Sequence, residues 1–170
     1  MITLTNLENP DFDIFYRVFE ESVSKMEQQI AEQGGIDSLR RAVGHEMYSY
    51  DFVQEIAIDG YVVGYIPSRF ITFRDSKYRV AGYSVVGQDE SGSKSWYYSD
   101  DYLNAVNQRA ADDGIAGWMT PVTAGSIQDK FVRKRYAHCQ IEVLTSEQVF
   151  SELVDYPTNT QYIVVTFPEN

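Results

Sequence analysis

Asp59-Gly60 stands between two apolar runs, Glu55-Ile-Ala-Ile58 and Tyr61-Val-Val-Gly-Tyr-Ile66. An Asp-Gly pair readily takes the left-handed backbone that a two-residue hairpin turn needs. The pair therefore predicts antiparallel strands at Phe52 to Ile58 and Tyr61 to Phe73. Pro67 interrupts the second run and predicts a bulge or an exposed edge, because proline cannot donate to a strand ladder. Asp75-Ser76-Lys77 reads as a further turn and Tyr78 to Val86 as a third strand.

Around this antiparallel block the periodicity changes. Ile2, Leu4 and Leu7 suit a short opening strand. Phe12, Phe15, Val18, Phe19, Val23, Met26 and Ile30 recur at gaps of mostly three and four, as on the buried stripe of a helix ended by Gly34-Gly35. A second helix carries Leu39, Val43 and Met47, with Asp37 or Ser38 as its cap. Gly87 to Ser93 reads as a loop and Lys94 to Tyr98 as an aromatic strand. Ser99-Asp100-Asp101 opens a helix that stops at Asp113-Gly114. A strand at Trp118 to Val122 and a helix at Ser126 to Tyr136 follow. Cys139 to Leu144 and Gln161 to Phe167 read as the last strands, with a helix at Ser146 to Val154 and a turn at Asp155 to Asn159 between them. Hairpins combined with crossover units predict an α/β protein, residues 1–170 in a single domain, with a mixed, mostly antiparallel sheet flanked by helices.

The net charge of -11 is uneven: residues 1–60 hold 12 acidic and 4 basic side chains, residues 61–98 hold 3 and 5, and residues 99–170 hold 10 and 5. An acidic surface disfavours nucleic acid and anionic membranes, so no nucleic-acid partner is expected. Solubility explains such charge more simply than mimicry of DNA. Thirteen tyrosines suit a sheet, and they also suit a partner surface. The single cysteine, Cys139, forms no intrachain disulfide, which fits a reducing interior. No apolar run approaches the roughly 20 residues of a membrane span, and Met1 to Pro10 has no signal-peptide pattern. The expectation is a cytoplasmic protein.

From residue 1 to residue 144 this order resembles the GNAT acyltransferase fold. Glu55 to Ile66 is similar to that family's second and third strands. Trp96 to Gly114 matches its fourth strand and third helix, and Trp118 to Tyr136 its fifth strand and fourth helix. The resemblance implies an acetyl-CoA loop at Tyr98, Ser99, Asp100, Asp101 and Tyr102. In the family, a glycine-rich loop there turns its N–H groups toward the pyrophosphate, at the positive end of a helix. The stretch Tyr98 to Asn104 has no glycine and two carboxylates. The acids favour the helix dipole and repel phosphate.

The family's leaving-group acid, a tyrosine, falls on Phe131 if Tyr136 matches the aromatic that follows it, and Arg135 then stands where the family has glycine. Phe131 has no proton to give, so no catalytic residue is assigned. Glu55 is a base only in principle. His45, His138 and Cys139 have no metal-ligand or nucleophile spacing, so no metal is expected. Arg69, Arg74, Lys77 and Arg79 form one basic stretch, and Lys130, Arg133, Lys134 and Arg135 form a basic helix end.

Two functions compete. The first is a non-catalytic accessory or structural protein working through protein contacts and holding no cofactor. Small internal virion or assembly proteins of short-tailed bacteriophages resemble it in size and layout, so a virion location belongs to this reading. The alternative is an acetyl-CoA-dependent N-acyltransferase with a divergent cofactor loop.

Overall fold

A computed structural model describes residues 1–24, 51–82, 84–150 and 161–169. Their strands are β1 (Ile2–Leu7), β2 (Phe52–Ile58), β3 (Tyr61–Phe73), β4 (Ser76–Ala81), β5 (Val85–Val86), β6 (Gly117–Pro121), β7 (Gln140–Thr145) and β8 (Gln161–Thr166). Their helices are α1 (Phe12–Ser24), α2 (Asp100–Asp113), α3 (Ile127–Arg135) and the single turn α4 (Ser146–Val149). The sheet order is β1-β2-β3-β4-β6-β8-β7, with β5 paired to β3. β4 and β6 run parallel; β1–β2, β2–β3, β3–β5, β6–β8 and β7–β8 are antiparallel. The expected mixed, mostly antiparallel α/β sheet is therefore present. The second predicted helix, with Leu39, Val43 and Met47, lies outside the described residues, as do Gly34-Gly35 and the turn at 155–159.

The chain forms two compact units, Met1–Arg69 with Gly82–Asp113, and Phe70–Ala81 with Gly114–Asn170. In the first, the β2–β3 turn takes the backbone its sequence predicts: φ is 49° at Asp59 and 84° at Gly60. The stripe on α1 is buried at Phe15, Val18 and Phe19, which join Val53, Tyr65 and Val85 in one cluster. Burying each such side chain contributes roughly 1.5–3 kcal/mol. Phe12 belongs to the same periodicity but is exposed.

Pro67 corrects the expectation of an exposed edge. It is buried, pairs with Val53 and lies in a strand with neighbours on both sides. The register shift of this hairpin falls at Ile56/Ala57 instead. Proline is tolerated because the strand run beside it breaks: β4 ends at Ala81, β5 begins at Val85, and the Gly82 N–H donates to the Pro67 carbonyl at 2.8 Å. The strand expected from Tyr78 to Val86 is thus two pieces.

In the second unit, β8 is buried from Tyr162 to Val165, as a continuous apolar strand should be. β6 lies between β4 and β8, and Gly117 faces Tyr78 across the parallel pair. A side chain at Gly117 would collide with the Val165 carbonyl and the Tyr78 ring. Ser126 caps α3 by accepting the Asp129 N–H, and Thr145 with Gln148 forms a capping box on α4.

Candidate functional site

The segment from β5 to α2 differs most from its sequence expectation. Lys94 to Tyr98 is not a strand: Ser95–Tyr98 is a turn of 3₁₀ helix. Strand propensity of the aromatics loses here to side-chain packing. The Trp96 indole N–H donates to the Gly87 carbonyl at 3.0 Å, and the ring is buried edge-on to Tyr102 at 5.3 Å. The last strand before α2 is instead β5, so the connecting loop starts at Gly87 and includes two glycines, Gly87 and Gly92. Both have a structural reason. A Cβ at Gly87 would approach the Glu21 carboxylate at 2.8 Å and the Val63 carbonyl at 3.0 Å, and Gly92 has φ of 80°.

The loop's N–H groups are turned inward. Gly87 donates to the Val63 carbonyl at 2.7 Å, and Gln88 donates to the Glu21 carboxylate at 2.7 Å. Asp89 organises the rest. Its Oδ1 accepts from the Ser91 N–H at 3.0 Å, the Ser91 hydroxyl at 2.6 Å and the Ser93 N–H at 3.0 Å. Its backbone N–H donates to the Ser93 carbonyl, and its carbonyl accepts from the Gly92 N–H. The hydrogen bond from the Ser91 hydroxyl, followed by those from the backbone, holds the Asp89 carboxyl below its ordinary range. Beside Asp89 lies an open depression of about 190 Å³ lined by Ile58, Asp59, Tyr61, Asp89, Glu90 and Ser91.

The five residues expected at the cofactor loop do not share one role. Ser99 is the helix cap, its hydroxyl accepting the Tyr102 N–H at 3.1 Å and donating to the Trp96 carbonyl at 2.7 Å. Tyr102 is buried against Trp96 and Tyr97. Tyr98 is 67% exposed, and Asp100 and Asp101 are exposed in the first turn of α2.

The other candidates are separate. Glu55 accepts the Tyr65 hydroxyl at 3.2 Å. Phe131 on α3 is half-buried, with the Arg135 guanidinium 5.5 Å from its ring centre. Tyr136 packs on Trp118. His138 is exposed, and burial pushes the half-buried Cys139 thiol up. His45 lies outside the described residues. Of the basic stretch, Arg74 pairs with Glu142 at 2.8 Å, Lys77 covers the Phe70 ring at 4.0 Å and Arg79 is buried. On α3, Arg133 pairs with Asp129 at 2.8 Å. Among the described residues no cluster of His, Cys, Asp and Glu suits a metal, and no helix is long and apolar enough to cross a membrane.

Sequence reasoning missed Asp89. The available signal was Asp89-Glu-Ser91-Gly92-Ser93, a short acid followed by hydroxyl residues and glycine, which favours side-chain-to-backbone turns.

No protein-family model and no curated protein matches the chain. Solved structures do. An acetyltransferase from Thermus thermophilus aligns with 15% identity over 97% of both chains and a TM-score of 0.52. A GNAT-family acetyltransferase from Staphylococcus aureus aligns with 11% identity over 96% of this chain and 99% of that one, with a TM-score of 0.55. An acetyltransferase from Bacillus subtilis, solved in complex with CoA, aligns with 10% identity over 99% of this chain and all of that one, with a TM-score of 0.53. The chain has the GNAT fold. These neighbours also correct the expectation of a non-catalytic protein with no cofactor, since they are acetyltransferases and one holds CoA. That expectation rested on a glycine-free loop placed directly after an aromatic strand. The strand is a 3₁₀ turn, and the loop reaches back to two glycines.

Proposed function

We propose that the chain is an acetyl-CoA-dependent N-acyltransferase with a divergent cofactor loop, moving an acetyl group from the thioester to an amine. One observation carries this reading: near-complete alignment, in both directions, with acetyltransferase structures that include a CoA complex. The cofactor side is the segment from β5 to α2, including Tyr98, Ser99, Asp100, Asp101 and Tyr102.

The donors as they stand do not fit a pyrophosphate. The N–H groups of Gln88, Ser91 and Ser93 go to the carboxylates of Glu21 and Asp89, and the Tyr102 N–H goes to Ser99. Asp100 and Asp101 add like charge at the start of α2. Binding of the cofactor therefore requires some of these hydrogen bonds to exchange.

Titration calorimetry with acetyl-CoA, competed by CoA, is the direct test, followed by thiol release with a panel of primary amines. The expected result is saturable acetyl-CoA binding that CoA displaces, with release above the amine-free rate for at least one acceptor. Failure to bind acetyl-CoA, CoA and acetyl-pantetheine alike overturns the reading.

A further inference from the structure

We infer that the outward face of α1 on one copy of the chain docks on the outward face of α3 of a second copy, a contact between unlike surfaces that joins copies head to tail. The distribution of charge points to it. The unit of Met1–Arg69 with Gly82–Asp113 holds 18 acidic and 7 basic side chains, and the other unit holds 7 of each, so the whole net charge of -11 belongs to the first. Each helix also keeps its outer face to one sign. α1 has a single base, Arg17, and turns it inward: its guanidinium donates to the Val62 carbonyl at 2.6 Å and lies 4.5 Å from the centre of the Tyr61 ring. α3 has a single acid, Asp129, which is buried and accepts from the Gly125 N–H and the Arg133 guanidinium. α1 thus presents acid outward without a base, and α3 presents base outward without an acid.

Both faces also carry apolar surface that their own chain leaves uncovered. Phe12 and Tyr16, one helical turn apart, are 38% and 55% exposed with ring centres 6.4 Å apart, and Asp13 is exposed beside them. On α3, Ile127 is 83% exposed, and Lys130 and Lys134 are exposed further along the same side. An isoleucine followed by two lysine stems suits an aromatic pair, with the ammonium groups directed at Asp13 and at the face of Tyr16. The net charge of identical chains opposes association, but physiological salt screens repulsion beyond about 8 Å, and docked faces lie within that distance. Two short helix faces bury less than the roughly 1,200–2,000 Å² of a standard interface, so the association is weak and micromolar. Because the faces differ, a docked pair still has one unused α1 face and one unused α3 face, and growth continues into a ring or a chain.

Sedimentation velocity on the full chain over a concentration series at physiological salt tests this. One variant carries Asp13→Lys with Tyr16→Lys and spoils only the α1 face; the other carries Lys130→Glu with Lys134→Glu and spoils only the α3 face. The expected result is a mean mass that rises with concentration for the natural chain, and association at least about tenfold weaker for each variant alone. An equimolar mixture of the two variants has one good α1 face and one good α3 face, so it should form complexes that stop at two chains. If the α1 double variant fails to fold by circular dichroism, Asp13→Lys alone takes its place in the mixture. A natural chain that stays monomeric at every concentration overturns the inference. Association that either variant alone retains in full also overturns it, because it uses another surface. So does a mixture that yields no two-chain complex.

Discussion

Tyr65 and Glu55 face each other across the β2–β3 pair, and the buried phenol donates to the carboxylate at 3.2 Å. Burial first, and then the Glu55 charge, push the Tyr65 phenol well above its ordinary value. The unfolded chain ionises this residue near pH ~10, whereas the folded chain retains the proton. Tyr65 thus contributes stability that is fully present below that pH and falls as pH rises above it. Tyr65→Phe is expected to cost about 0.5–1.5 kcal/mol at neutral pH and to flatten the alkaline decline. Urea unfolding of both forms across the alkaline range measures it, and equal slopes would contradict the assignment.

Gly64 is hemmed in by its neighbours. A Cβ there would lie 2.9 Å from the Val85 carbonyl, 3.1 Å from Ile56 Cδ1 and 3.3 Å from Trp96 Cη2. The carbonyl belongs to the β3–β5 pairing and cannot swing aside as a long side chain would. Gly64→Ala should therefore destabilise by about 1–3 kcal/mol, the usual scale of overpacking. A chemical melt no less stable than the parent's would show that β5 yields freely.

Ser99 and the two acids after it should separate cleanly. Ser99→Ala removes the acceptor for the Tyr102 N–H and should cost about 1 kcal/mol. Replacing Asp100 and Asp101 together by Asn leaves that cap intact and removes two negative charges from the first turn. Loss of their favourable interaction with the helix dipole should cost roughly 0.3–1 kcal/mol each. Acetyl-CoA affinity should rise in the double variant. Calorimetry and thermal melting on the same samples check both, and an affinity that drops would place these acids in a supporting role toward the cofactor.

Asp129 links the start of α3 to the loop before it. The Gly125 N–H and, next, the Arg133 guanidinium hold its carboxyl below the ordinary range. Its stability contribution is present above the unfolded value near pH ~4 and is lost as pH falls through the lower folded value. Asp129→Asn should lower the melting temperature at neutral pH and differ less from the parent in acid. Melting curves across the acidic range test this, and a constant difference would count against it.

Elements whose burial follows a period were legible in the sequence. Phe15, Val18 and Phe19 on α1, the Asp59-Gly60 turn and the apolar run of β8 each express a local rule that their packing obeys. The errors came where a distant partner decides. Nothing local reveals that Trp96 reaches the Gly87 carbonyl, so three aromatics in a row read as a strand. Pro67 read as a bulge or an edge because the break that accommodates it lies in another segment, between Ala81 and Val85. The helix start at Ser99-Asp100-Asp101 was legible, whereas Asp89 matters through hydrogen bonds that only the closed loop forms.

The bond from the Trp96 indole to Gly87 also makes the loop observable by light. Trp96 is one of two tryptophans in the chain, and its N–H is fastened to the first residue of the segment that Asp89 closes. Rearrangement of that segment would change the polarity felt by the excited indole. With the other tryptophan replaced in Trp118→Phe, the emission of Trp96 becomes a single-site optical reporter of the loop's surroundings that needs no attached label.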